Sequence, residues 1–186
     1  MKKTFVLGVL FVLPLVVYMF FASGITNFGK LPVLSGPIPE ITEFRGGERL
    51  QGKITILGFL GTEIGDKKGN AFNINQKIYK RFYEFDEFQV LMVVPEGQAE
   101  GVAALMDELS GFTDTRNWRF IYGSPSQIRS FFGELKTDLQ LDENLATPYV
   151  FIIDKDRNLR GRDDDEDEGT KFGFDATSVA ELNNKM

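Results

Sequence analysis

The sequence predicts an α/β domain built on a mostly parallel sheet and preceded by one membrane-spanning helix. Two observations carry the domain. Residues 54–60, "ITILGFL", and 89–94, "QVLMVV", are unbroken apolar, β-rich runs of the kind buried on both faces of a sheet. Between them apolar residues recur at Ala71, Ile74, Ile78, Phe82 and Phe85, one face of a helix whose solvated side carries Lys77, Lys80, Arg81 and Glu84. A strand, a helix and a strand of these lengths make a right-handed βαβ unit with parallel strands. The third observation is the uncharged run at residues 4–22, "TFVLGVLFVLPLVVYMFFA".

That run predicts the membrane helix. Its nineteen residues would span ~28 Å as a helix, close to the ~30 Å hydrocarbon core. Pro14 inside it is tolerable in a membrane. Lys2 and Lys3 place the N-terminus in the cytoplasm and export the rest. "FASG" could serve as a signal-peptide cleavage site, but the apolar run exceeds the ~7–15 residues of a signal-peptide core, so an uncleaved anchor is expected. The organisation read from this is an anchor at 1–24, a Gly-, Pro-, Ser- and Asn-rich linker at 25–39, and an extracytoplasmic domain at 40–186. The expected location is the cytoplasmic (inner) membrane, single-pass, with the domain in the periplasm or equivalent space.

The remaining elements follow in order. "ITEFRGGERLQGK" predicts a hairpin turning at Gly46-Gly47. A second helix carries Val102, Leu105, Met106 and Leu109 inward, and "WRFIY" at 118–122 is a third strand. Ser124 and Gln127 form a capping box with Pro125 at the first helical position, starting a helix that buries Ile128, Phe131, Phe132 and Leu135. "PYVFIIDKDRNLRGR" reads as a strand, a turn at Asp156-Arg157-Asn158 and a returning strand. Ser178 and Glu181 suggest another capping box before a final helix of about nine residues, ~2.5 turns. A helix that short leaves part of a sheet face uncovered, so either a truncated chain or a helix stabilised by a partner is expected.

Composition excludes more than the motifs support. The 186 residues contain no Cys and no His, so disulfides, thiol redox chemistry, thiolate metal sites and imidazole acid–base work are all unavailable. Setting aside Lys2 and Lys3 leaves 27 acidic against 19 basic side chains, a net −8, which argues against nucleic-acid binding. The strand–loop–helix junction at 61–69, "GTEIGDKKG", lacks the Gly and Lys spacing of a phosphate-binding loop. Neither "DDDEDE" at 163–168 nor "DKDRN" at 154–158 has the spacing of an EF-hand. Carboxylate catalysis would rest on Glu63 and Asp66 alone.

The order of elements is thioredoxin-like, and particular segments agree. "LQGKITILGF" resembles the strand leading into the active-site loop of membrane-tethered thioredoxin-like proteins, and "ATPYVFIIDKDRNLRG" resembles the later Thr-Pro strand and turn of the same superfamily. "WRFIYGSPSQIRSFFGEL" followed by "FIIDKDRNLRG" is most similar to the Sco/SenC-type copper chaperones of cytochrome oxidase assembly. The resemblance implies a thioredoxin-like three-layer sandwich with an N-terminal hairpin, and a cis-proline at Thr147-Pro148 facing the 61–69 loop.

It also implies a copper site of two Cys in that loop and a His near residues 143–147, and this chain has none of the three. Met92 and Met106 lie on apparent core faces and Met19 in the membrane run, so no methionine cluster replaces them. No copper or other cofactor and no catalytic residue is therefore expected. The expected function is non-catalytic: binding or assembly of a protein partner in the envelope, around a respiratory complex such as cytochrome oxidase by analogy of fold. Thr62, Glu63, Asp66, Lys67, Lys68, Thr147 and Pro148 form the candidate partner-binding groove, with the loop exposed and mobile. The alternative is a carboxylate-based metal carrier or enzyme using the 61–69 loop or the 163–168 acidic run.

Overall fold

The computed structural model describes residues 8, 10–19, 31–166 and 169–186. Residues 10–19 form a helix, α1, whose side chains are exposed. The expected membrane helix at 4–22 extends beyond the described residues. Among the described residues no helix is long and apolar enough to cross a membrane.

The second compact unit runs from Pro32 to Met186. Its sheet has the order β1-β6-β5-β2-β3-β4. The strands are β1 (Val33–Ser35), β2 (Ile54–Phe59), β3 (Phe88–Pro95), β4 (Trp118–Gly123), β5 (Tyr149–Ile153) and β6 (Leu159–Arg160). β2, β3 and β4 are parallel, with Ile56 opposite Val90 and Val90 opposite Trp118. β5 lies antiparallel to β2, and β6 antiparallel to β5. The short strand β9 (Phe174–Asp175) pairs with the start of β5. β7 (Arg162–Asp165) and β8 (Gly169–Lys171) form a separate two-stranded hairpin.

Alternation along each strand divides the core between two faces. Leu57, Phe59, Leu91, Val93, Ile121, Phe151 and Ile153 point to one face, where Ile128, Phe131 and Phe132 of α5 (Pro125–Gly133) cover them. The other face packs under α2 (Ile64–Ile74), α4 (Ala99–Ser110) and α6 (Val179–Asn184). Gly58 is needed on that side: a Cβ there would stand 2.7 Å from Met92 Sδ. The α5 capping box is present, with Ser124 Oγ accepting from Gln127 N–H and Gln127 Oε1 accepting from Ser124 N–H.

Three expectations are corrected here. Residues 41–53 form no hairpin. Ile41, Phe44 and Leu50 are buried in the core instead of pairing across a turn, and Arg45 alone bridges to Tyr122 at the edge of β4. Its guanidinium lies 4.5 Å over the Tyr122 ring. The helix after β2 also departs from the 3.6-residue stripe. After Ile74 the chain winds a π-helical segment, Asn75–Tyr79, before the short α3 (Lys80–Phe82). Each residue inserted this way turns the following stripe by ~100°. Tyr79 therefore becomes fully buried, while the predicted core residues Phe82 and Phe85 are 42% and 62% exposed.

The third correction concerns the C-terminal region. A like-charged run such as 163–168 reads as a solvated, mobile loop or an interaction surface; instead residues 163–165 belong to β7, with Asp163 and Asp164 exposed and Asp165 buried and ion-paired to Lys185 at 2.9 Å. Asp167 and Glu168 lie outside the described residues. The final helix has six residues. Ser178 Oγ caps it by accepting from Glu181 N–H, but the Glu181 carboxylate turns away to Asp175 N–H at 2.7 Å and to the buried Lys171 ammonium at 3.1 Å.

Candidate functional site

The corner after β2 is where the resemblance places the chemistry, and the chain closes it with backbone. β2 continues into an antiparallel bridge between Leu60 and Ala146. Gly61 then turns with φ +68°, a conformation that L side chains rarely adopt. A Cβ at Gly61 would strike the Asn144 carbonyl and stand 2.8 Å from Ala146 Cβ. Thr62 N–H donates to Asn144 O at 3.0 Å, and its hydroxyl donates to Asn144 Oδ1 at 3.3 Å. On the other side, Thr147 N–H donates to Phe59 O at 3.2 Å.

The facing turn is tied down from within. Asp142 N–H donates to Ala146 O, and the Asp142 carboxylate accepts from Ala146 N–H, both at 2.8 Å. Leu145 is held in the left-handed region, φ +64°, with its side chain buried. Asp142, Asn144 and Leu145 thus shape the corner: Asn144 reaches Thr62, 82 positions away, while Asp142 and Leu145 act within the turn itself.

The predicted site residues divide accordingly. The expected mobile loop at 61–69 is largely helix: α2 begins at Ile64, whose side chain is buried, so only Gly61, Thr62 and Glu63 are non-helical. Glu63 and Asp66 are exposed, linked only by Asp66 N–H donating to Glu63 O at 3.1 Å, and among the described residues neither carboxylate is ion-paired. Lys67 lies 4.0 Å from Asp142, and Lys68 pairs with Glu108 of α4. Thr147 is buried, its N–H held by Phe59 O. The Thr147-Pro148 bond is trans, contrary to expectation, and the cis bond among the described residues is Gly36-Pro37. Trans is the lower-energy state of an X–Pro bond, and here it lets Pro148 O accept from Ala176 N–H as β5 begins.

The donor set does not fit copper. There is no thiolate or imidazole in the chain. Met92 is fully buried in the sheet, so the soft ligands that Cu(I) requires are absent from this corner. Among the described residues no three carboxylates gather as a metal site. The "DKDRN" turn is built the opposite way, as a carboxylate surrounded by donors. Asp154 accepts from Asp156 N–H, Asn158 N–H and Arg160 Nε at 2.9, 2.8 and 2.7 Å. Burial works to raise its pKa, and these hydrogen bonds outweigh it and hold the carboxyl below its ordinary value.

No protein-family model matches the chain, and no curated protein matches it. Solved structures do. BsSco, a member of the Sco family of cytochrome c oxidase assembly proteins, superimposes with a TM-score of 0.52 at 13% identity, covering 82% of this chain and 95% of its own. A SCO1/SenC family lipoprotein from Bacillus anthracis matches at 0.46 and 16% identity over 73% of this chain and 83% of its own. Copper-bound ScoI of Arabidopsis thaliana matches at 0.44 and 17% identity over 74% and 86%. With the strand order and the Gly61 corner described above, the first of these likenesses carries the conclusion: the chain has the thioredoxin-like fold seen in the Sco-type proteins.

Proposed function

We propose that this chain is a membrane-anchored, non-catalytic, Sco-like domain that binds a protein partner outside the cytoplasm and assists its assembly, around a respiratory complex such as cytochrome oxidase. The observation that carries the reading is the Gly61 corner. Where the fold of BsSco is matched, backbone hydrogen bonds from Thr62 to Asn144 and from Thr147 to Phe59 hold the corner, in a chain without a thiol or an imidazole. Work at this corner is then done by contact. Thr62, Glu63 and Asp66 are the exposed side chains it offers, with Lys67, Lys68 and Pro148 half-buried beside them.

The test is a photo-reactive residue placed at Glu63 in the full chain, irradiated in native membranes. Capture of a subunit or assembly protein of a membrane complex, absent when the residue is placed at exposed Asp138 instead, is the expected result. Identical capture from both positions would contradict it. The anchor is tested separately by intact mass, because a mature chain beginning near Ser23 or Ile25 would remove that part of the reading.

A further inference from the structure

On the opposite end of the sheet from the Gly61 corner lies an apolar cavity of about 380 Å³. Ile56 of β2 and Ile152 of β5 form its floor, Ile78 and Phe82 one wall, Leu182 of α6 the other, and Ile54 stands at its mouth. The π-helical segment opens it by swinging Phe82 and Phe85 outward. Its mouth is apolar as well: Ile54 is 40% exposed and Phe85 62%. The volume falls within the ~300–1,000 Å³ of small-molecule sites, which are apolar with a few placed polar groups.

Three polar side chains meet the cavity: Arg81, Glu87 and Asn183. Glu87 is already neutralised by Lys155, whose hydrogen bond and charge hold the Glu87 carboxyl below its ordinary value. Arg81 is different. Its Nη2 donates to the neutral Asn183 Oδ1 at 2.7 Å, and among the described residues no carboxylate lies within ion-pair distance of it. It also belongs to a basic stretch. Residues 64–82 carry five Lys and Arg against Asp66 alone, a net +4 in a domain that is otherwise strongly acidic. Of these cations Arg81 alone lines the apolar slot.

We propose that this cavity binds the hydrocarbon chain of an anionic amphiphile, a fatty acid or a phospholipid acyl chain, with Arg81 engaging the carboxylate or phosphate at the mouth. The hydrocarbon covers the isoleucine floor and the exposed phenylalanines, and the head group accepts a charge-assisted hydrogen bond from the Arg81 guanidinium. This inference is independent of the partner-binding reading at the Gly61 corner, which stands or falls on different residues.

The full chain, reconstituted in phosphatidylcholine vesicles, is irradiated with a diazirine-bearing dodecanoate in one arm and with phosphatidylglycerol carrying a diazirine acyl chain in the other. Labelling of peptides containing Phe85 or Leu182 is expected in at least one arm, and the arm that labels identifies the source of the chain. Dodecanoate should compete about tenfold better than dodecyltrimethylammonium, and Arg81→Gln should abolish that preference, as for loss of one charge-assisted hydrogen bond. Ile54→Trp, at the half-exposed mouth, should block labelling while leaving the unfolding midpoint nearly unchanged. Absence of label in both arms, equal competition by the cationic amphiphile, or labelling undiminished in a folded Ile54→Trp variant would each overturn the proposal. So would capture of a polypeptide, in place of lipid, by a photo-reactive residue at Phe85.

Discussion

Gly61 is the residue on which the closed corner depends most. Its φ of +68° and the approach of Asn144 and Ala146 leave no room for a side chain. Gly61→Ala should therefore cost ~2–4 kcal/mol in chemical denaturation, through strain and the displaced facing turn. Glu63→Ala and Asp66→Ala, two to five positions on but exposed, should stay within ~0.5 kcal/mol. Asp154 makes a different prediction, on pH. Its folded pKa is depressed, so the stability it contributes is present above the unfolded carboxylate value of ~3.9 and is lost as pH falls through the folded value. Asp154→Asn should be less stable than the parent chain by ~1–2 kcal/mol near neutrality, and the gap should close in acid. Denaturation curves over that range check it, and a gap that widens on acidification would contradict the assigned sign. None of this was legible in "GTEIGDKKG", whose glycines and charges suggested a free loop. The residues that hold it, Asp142, Asn144 and Leu145, act through backbone groups and through short side-chain contacts whose partners the sequence does not display.

Elements governed by near neighbours in sequence could be read, and elements governed by distant ones could not. The α5 cap needs only Ser124, Pro125 and Gln127, and the structure contains it as expected; Ser124→Ala should cost ~1 kcal/mol. The buried strands β2 and β3 and the amphipathic α4 were equally plain from their apolar patterns. The hairpin at Gly46-Gly47 failed because Ile41, Phe44 and Leu50 gain more from the core than from pairing with one another. The stripe through α2 failed for a subtler reason: one π-helical segment exchanges Phe82 for Tyr79 as the buried aromatic. That exchange is measurable. Tyr79→Ala should cost ~3–5 kcal/mol, removing a fully buried ring and the acceptor of the Asn117 N–H bond at 3.0 Å. Phe82→Ala should cost ~1 kcal/mol, and the reverse ranking would restore the unbroken helix that periodicity suggested.

At the scale of the whole molecule, the parallel βαβ unit and the layered α/β arrangement were legible because alternating strands and helices admit few topologies. Function was less so, because the chain departs from Sco-type proteins at the residues that would carry the chemistry. Under the proposed function this fold works by contact and without a metal. A ligand raises the unfolding midpoint only by binding the native state. The most direct measurement is therefore the unfolding midpoint of the full chain with and without one equivalent of Cu(I), repeated with Zn²⁺ and with the Glu63→Ala variant. The expected midpoint is nearly unchanged by either metal in both chains. A rise of several degrees at one equivalent, abolished by Glu63→Ala, would contradict it and place a carboxylate metal site at the corner after β2.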